Sequence, residues 1–397
     1  MTMMMLITLL LCLLAAPAVL ACGYLLVLTL LSAEIAGRVP MKREIKFDVI
    51  VPAHNESTVI THTVASLKKI DWPAECHRIV VVADNCTDDT ADLARQSGAE
   101  VLERHDTSLR GKGYALNFAF KDSAARNWAD AVVVIDADAE VSSNLLSAIA
   151  ARLEQGAQAV QVHYGILNPS ATWRTRLITI AKSAFHSVRS RARERLGLSC
   201  GIRGNGWCVT HALLRKVPYQ AFSLTEDVEY GIELGVAGYR VHYAEDAHSD
   251  AEMVSGEQAA RKQRQRWEDG RFQLIRNKTL PLLIQAVKQP SRVCLDLALD
   301  LMVLPLSYVV INVALLIGLA ALAMWFDHHF IVWMWAGVAC VVALALHVLR
   351  GWQLSGTGMQ GLLDFAHAPG FLLWKLVLML SRRESKEWVK TEREKRD

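Results

Sequence analysis

Residues 3 to 33 carry no Asp, Glu, Lys or Arg, and an apolar run of that length exceeds the roughly 20 residues needed to cross a bilayer. It predicts a spanning helix. A cleaved signal peptide is the competing interpretation, because "VLAC" ending at Cys22 resembles a lipoprotein cleavage site. No basic segment precedes the run, however, and it is too long for a signal sequence. Two more apolar runs, Leu301 to Phe326 and Phe330 to Leu349, are parted only by "DHH" at 327–329 and predict a helical hairpin. Between these ends the pattern changes. From Phe47 to Ile135 the β-rich runs "FDVIVPA", "HRIVVVAD", "AEVLERHD" and "AVVVID" alternate with helical stretches at 56–69, 88–97 and 113–126. Such alternation predicts an α/β fold with a parallel, doubly wound sheet.

Basic residues orient the spans. Arg38, Lys42, Arg43 and Lys46 follow the first run and nothing basic precedes it, so the amino terminus is expected outside and the central segment in the cytoplasm of a cell with this protein in its inner (plasma) membrane. The hairpin then goes out and back, and the basic stretch 381–397 lands in the cytoplasm. Residues 361–380 are interrupted by Asp364, His367, Pro369 and Lys375, which predicts an interfacial helix rather than a fourth span. The expected divisions are a transmembrane helix over 1–36, a cytoplasmic domain over 44–275, an amphipathic segment with the hairpin over 276–350, and the interfacial helix with its basic tail over 351–397. Composition agrees with a membrane protein, at 52% hydrophobic and 21% charged residues. The net charge is only +3, and the basic residues cluster beside the membrane instead of along an aromatic stripe, so nucleic acid is not an expected partner. Eight cysteines without a CxxC pair indicate neither a zinc site nor a disulfide frame.

Polar clusters follow the strands, where open α/β sheets hold ligands. "AHNE" (53–56) follows the first, "ADNCTDD" (83–89) the second and "DADAE" (136–140) the fourth. Asp136 and Asp138 can share a hard divalent cation with substrate phosphates, or can simply solubilise a loop; alternation along a continuing strand would point both to one face. No dinucleotide or P-loop fingerprint is present. The stretch 173–197 holds seven Lys or Arg against one Glu and fits either an ordinary surface helix or a helix beneath anionic headgroups. Gly201, Gly204 and Gly206 suggest backbone passing close to another group. In "TED" (225–227), Thr225 is a candidate helix cap and Asp227 a candidate general base. "QRQRW" (263–267) offers Arg266 for a bidentate phosphate contact and Trp267 for stacking on a sugar or nucleoside.

With "DNCTDD", "DAD", "TED" and "QRQRW" in that order, the chain resembles the membrane-bound family 2 glycosyltransferases from about Phe47 to Phe272, together with the flanking spans. That family includes cellulose, hyaluronan, chitin-oligosaccharide and poly-N-acetylglucosamine synthases. The resemblance implies a GT-A fold, a UDP-sugar donor, Mg2+ or Mn2+, and inversion at the anomeric carbon. It implies donor or acceptor contacts from Glu56, Asp84, Lys112, Asp136, Glu226, Gln263, Arg266 and Trp267, metal contacts from Asp136 and Asp138, and Asp227 as the base. The expected activity is transfer to a growing saccharide or lipid-linked acceptor in exopolysaccharide synthesis, with polysaccharide-export subunits as partners. The spans are fewer than a polymer-conducting synthase carries. Alternatives are a non-processive transferase that makes a glycolipid, distinguished by a single added sugar, and a non-catalytic sugar-nucleotide-binding subunit.

Overall fold

The computed structural model describes residues 2–253, 257–367 and 370, with the side chains of 257–264 lying outside that description. The chain enters through α1 (Thr2–Leu30) and then builds β1 (Phe47–Ala53), α2 (Ile60–Leu67), β2 (His77–Asp84), α3 (Thr90–Gln96) and β3 (Glu100–Arg104). Next come α4 (Lys112–Arg126), β4 (Ala131–Val134), β5 (Ala139–Val141), α5 (Leu145–Leu153) and β6 (Ala159–Ile166). The sheet order is β3-β2-β1-β4, then β7 (Trp207–Thr210), β6, β8 (Val241–Ala251) and β5. Side chains alternate between its faces. In β1, Phe47, Val49 and Val51 pack with α2 and α5, while Ile50 packs with α4 and with the helices α8 (His211–Lys216) and α9 (Glu226–Val236).

The expected parallel sheet holds only for the first half. β1 to β4 pair in parallel, but β7 is antiparallel to both β4 and β6, and β5 is antiparallel to β8. The reason is connectivity: β1 to β4 are joined by crossover helices, whereas β7 is reached from β6 through an excursion away from the sheet. A second correction concerns "DAD". The strand stops at Val134, and Asp136 to Asp138 occupy a turn closed by the Ala139 N–H donating to the Asp136 carbonyl at 3.1 Å. The turn, not strand alternation, brings both carboxylates to one cavity.

That excursion is α6 (Trp173–Ser183), a single π-helical turn (Ala184–Val188) and α7 (Arg189–Arg195). It is neither of the expected surface helices. Arg176, Arg189, Arg191 and Arg193 each meet a carboxylate of the protein, namely Asp364, Asp300, Glu245 and Asp296. These four arginines thus find partners within the molecule. After β8 follow α10 (Glu257–Lys288), α11 (Arg292–Met302), α12 (Leu306–Met324), α13 (Ile331–Ser355) and α14 (Gly358–Leu363). Among the described residues, three helices are long and apolar enough to cross a membrane: Met3–Leu30, Leu306–Met324 and His328–Ser355. They form one bundle around Leu11, Leu25, Val313, Leu316 and Leu344. The π turn rests against α13 where Gly351 leaves room, since a Cβ there would lie 2.6 Å from that of Ala184. Asp364, expected to interrupt a fourth span, is drawn onto α6 by Arg176 at 2.5 Å. The interfacial helix beyond residue 370 and the basic tail lie outside the described residues.

The α/β domain and the helical frame are joined by a buried ionic cluster. Arg193 of α7 reaches Asp296 at 2.9 Å and Asp300 at 2.8 Å on α11, and Arg189 also reaches Asp300 at 2.8 Å. The Tyr24 hydroxyl of α1 donates to Asp296 at 2.7 Å and accepts from Arg193 at 2.5 Å. Removing one partner of a buried pair leaves the other charge stranded. Arg193→Met is expected to destabilise the protein by about 3–5 kcal/mol, read as a lower Tm in detergent, with part of the loss recovered by adding Asp296→Asn. A melt matching the parent would show that the cluster does not hold the two parts together.

Candidate active site

The carboxyl ends of β1, β2 and β4 open onto one cavity of about 2210 Å3. Tight loops shape its upper wall. Asn55 and Asn85 adopt left-handed backbone at φ 56° and 51°, which asparagine tolerates better than most residues. The Thr87 N–H donates to the Asn55 side chain at 2.7 Å and the Glu56 N–H to the Thr90 hydroxyl at 2.8 Å, so the two loops brace each other. Asp84 lines the cavity, but Arg104 holds its Oδ1 at 2.5 Å and Asn85 donates to the same oxygen at 3.1 Å. Arg104 carries no local pattern that marks it as the partner of Asp84. Below it Tyr114 stacks on Phe222, ring centroids 4.5 Å apart.

Lys112, the first residue of α4, organises the floor. Its Nζ donates to Asp136 Oδ1 at 2.5 Å and to the Gly204 carbonyl at 2.7 Å, and stands 3.9 Å from Glu226 Oε1. Asp136 is also fixed through its backbone, whose N–H donates to Asn205 Oδ1 at 3.1 Å; Ser249 donates to that same oxygen at 2.9 Å. Asp227 sits in the first turn of α9 beside Glu226. Thr225 precedes that helix but makes no side-chain cap bond, contrary to the expectation from "TED". Gly201, Gly204 and Gly206 all take positive φ, and Gly204 and Gly206 pass close to other groups, as was expected of these glycines. At Gly204 the need is evident: a Cβ would stand 3.2 Å from Asp227 Oδ2 on backbone at φ +87°.

Burial raises Glu226 to about 7, with Asp227 adding to the rise and Lys112 opposing it. Burial raises Asp227 too, again against Lys112. Burial alone would lower Lys112, yet Asp136 and Glu226 hold it above the usual lysine range. The result is a lysine that stays charged beside Glu226, a carboxyl that binds a proton readily near neutrality. Lys182, on the facing wall, is pulled down to about 7 by burial while Asp136 and Asp138 act to raise it. Its Nζ donates to the Gly165 carbonyl at 3.1 Å and lies 3.2 Å from the Tyr164 ring centroid.

Glu56, Arg266 and Trp267 line the same cavity, Trp267 half-exposed. The Gln263 side chain lies outside the described residues. The cavity thus gathers Glu56, Asp84, Lys112, Asp136, Asp138, Glu226, Asp227, Arg266 and Trp267 from segments far apart in sequence. Asn205, which acts through the Asp136 backbone, and Lys182 and Arg203, which line the cavity from other elements, are functional-site candidates that sequence reasoning missed. For a divalent ion, Asp136 and Asp138 offer hard oxygen donors on one turn, and Asp138 is 7% exposed. Among the described residues no three His, Cys, Asp or Glu stand together as a ready cage. That donor set fits an ion completed by substrate phosphates and water, in the manner of Mg2+.

Residues 45–270 match the family described as Glycosyltransferase like family 2. The chain is 26% identical over 267 residues to the probable glycosyltransferase YdaM of Bacillus subtilis (strain 168), covering 65% of this chain and 62% of that protein. It is 30% identical over 232 residues to a beta-monoglucosyldiacylglycerol synthase of Synechocystis, covering 57% of this chain and 47% of that one. The match therefore spans about half to three fifths of these curated relatives. Among solved structures, the mannosyltransferase PcManGT from Pyrobaculum calidifontis, in complex with GDP-Man and Mn2+, aligns with a TM-score of 0.49 and 19% identity, over 85% of this chain and 99% of that one.

Lys112→Met tests the electrostatics of the floor. It removes the positive charge that opposes burial at Glu226 and Asp227, so both carboxyls hold protons more tightly. The acidic limb of the pH profile of the residual turnover is expected to move to higher pH. A limb that stays where the parent's lies would show that neither carboxyl governs it.

Proposed function

The chain belongs to glycosyltransferase family 2, and on that premise we propose that it moves a single sugar from a UDP-sugar to a lipid acceptor at the membrane surface, with inversion. The observation that carries this is the continuity of the cavity. It runs from Asp84, Asp136 and Asp227 at the sheet to Val310, Val313 and Ile317 of α12 and to Val341, Leu344 and Val348 of α13. These six side chains are aliphatic and belong to helices long and apolar enough to cross a membrane, a lining that acyl chains would cover. The relatives named beta-monoglucosyldiacylglycerol synthase support the same choice. The three apolar helices accord with an enzyme of the inner membrane whose α/β domain, residues 44–275, faces the cytoplasm.

In this mechanism the loops after β1 and β2, with Glu56 and Asp84, hold the nucleoside, and Lys112 keeps Asp136 and Glu226 in place. Asp136 and Asp138 would hold a divalent ion, Mg2+ or Mn2+, whose charge stabilises the departing diphosphate. Arg266 adds a guanidinium on the same side, with Gln263 and Trp267 from the same helix. The acceptor hydroxyl gives its proton to Asp227 as its oxygen bonds to the anomeric carbon. The carbon–oxygen bond to the diphosphate breaks, and the electron pair leaves with UDP. One displacement at one carbon inverts its configuration.

Extension of a growing saccharide, with polysaccharide-export subunits as partners, is the second candidate. The half-exposed Trp267 beside Arg266 favours it, as a surface on which a sugar ring stacks. A non-catalytic role is disfavoured by the buried carboxylate pair, which a mere binding subunit would have no reason to maintain.

The test uses purified full-length protein with Mn2+, a panel of UDP-sugars and a membrane lipid extract, reading UDP release and product mass. Lipid-dependent release with a product one sugar heavier is expected. Asp227→Asn should lower turnover by about 100-fold to 10,000-fold with UDP affinity retained. A ladder of products on a soluble oligosaccharide, with no lipid product, would overturn the lipid assignment in favour of polymer synthesis.

A further inference from the structure

The wall between Asp227 and the membrane helices is built from arginines that lack enough acid. Four guanidiniums, those of Arg189, Arg193, Arg203 and Arg271, act on Asp300; Arg193 also pairs with Asp296, and Arg203 also acts on Asp227, a carboxylate that Lys112 already serves. Arg189, Arg203 and Arg271 surround one ring, with their guanidinium carbons 4.5, 5.0 and 5.4 Å from the centroid of Phe185. Unbalanced charge held out of water is costly unless something of opposite sign arrives.

The donors on this wall are also short of acceptors. Arg203 is 8% exposed, and its Nε and Nη2 have no hydrogen-bond partner among the described residues. Arg271 Nε and His186 Nδ1 are likewise buried without one. Arg203, Arg271, His186 and Phe185 all line the large cavity. Buried donors in native proteins are nearly always satisfied, so a cluster of unmet donors facing a cavity marks where acceptor oxygens of a ligand belong. Burial keeps His186 in its neutral form, helped by the field of Arg203, so the charge to be met is that of the guanidiniums.

Position says which ligand. Arg203 directly precedes Gly204, whose backbone abuts the Asp227 carboxylate. On the other side Arg271 donates to the Asp300 and Val303 carbonyls, just ahead of α12. The cationic wall therefore lies between the proposed base and the apolar faces of α12 and α13. The donor diphosphate is expected at the opposite end, over Asp136 and Asp138. From this order we propose that the acceptor is an anionic membrane phospholipid with a free headgroup hydroxyl, its phosphodiester received by Arg203 and Arg271 and its acyl chains lying along α12 and α13. This deepens the lipid-acceptor assignment and rests on it. The nucleophile is a hydroxyl and not a phosphate monoester, because a general base needs an acceptor with a proton to give. The hydroxyl oxygen bonds to the anomeric carbon, its proton passes to Asp227, UDP departs with the electron pair, and the phosphodiester keeps its charge throughout.

The experiment compares two acceptors with the full-length protein in phosphatidylcholine vesicles, using the UDP-sugar that supports release in the screen above. One set contains phosphatidylglycerol and the other an equal fraction of diacylglycerol. Phosphatidylglycerol is expected to be the better acceptor. Arg203→Gln should raise KM for phosphatidylglycerol by about 10-fold to 100-fold, the worth of a hydrogen bond to a charged group. The rise in KM should be smaller for any diacylglycerol transfer, and Arg203→Lys should recover part of the loss. Preference for diacylglycerol by the parent chain, or an Arg203→Gln effect equal on both lipids, would overturn the anionic assignment while leaving a lipid acceptor standing. Transfer to neither lipid but to a soluble oligosaccharide would overturn the lipid assignment itself. The parent's lipid preference decides the question even where Arg203→Gln fails to fold.

Discussion

Everything functional in this molecule depends on holding a charged α/β domain at a fixed height against an apolar bundle, and the buried cluster of Arg189, Arg193, Asp296, Asp300 and Tyr24 does that. Its members come from α7, α11 and α1, with Tyr24 and Asp296 separated by 272 positions in the chain. A purely apolar contact would permit sliding or rotation, because hydrophobic burial is non-directional. Paired guanidiniums and carboxylates fix direction as well as distance. The cost is desolvation of several charges, which is why such clusters contribute more to geometry than to net stability. Here the geometry matters, since α7 continues through the π turn into α6, and both line the cavity or support its wall.

The same economy governs the sheet end. Asp136, Asp138, Glu226 and Asp227 would repel one another if left alone in a buried crevice. Lys112 relieves this by standing between Asp136 and Glu226, and it does so without occupying Asp227 directly. Asp227 instead meets backbone, at Gly204. A carboxylate with a raised proton affinity and a bare glycine beside it leaves space for an acceptor oxygen, which a side chain at residue 204 would take up. Charge neutralisation and steric access are thus assigned to different neighbours.

Much of this was legible in the sequence, and the limits were physical. Uncharged runs longer than a bilayer announced the three long apolar helices, and β1 to β4 were readable because crossover helices force alternation. "DAD", "TED" and "QRQRW" stood out through order and spacing, and the fold brings Asp136, Asp138, Asp227, Arg266 and Trp267 from them to one cavity. The half-sheet for which the pattern predicted nothing, β5 to β8, is set by long-range pairing that leaves little local trace. The same holds for Arg104 against Asp84, and for Asn205, whose side chain meets the Asp136 backbone across 69 positions. The basic stretch 173–197 misled for a related reason. Its charges suggest solvent or headgroups, but the acids that absorb them, Asp300, Asp296 and Asp364, lie more than a hundred residues later in the chain.

The cavity's charge layout also bears on how many sugars are added. From the sheet to the membrane it passes from carboxylates to guanidiniums to aliphatic side chains, a gradient that matches an amphiphile lying lengthwise. A polymer emerging from Asp227 would have to cross the arginine wall and then an apolar lining, and sugar hydroxyls find few partners in the latter. A lipid product meets no such barrier. On the proposed lipid-acceptor assignment, the new sugar would occupy the polar end after one transfer while the chains stayed beside α12 and α13, and departure would be sideways into a bilayer. A single transfer followed by release of a membrane-bound product is what that proposal requires of this layout.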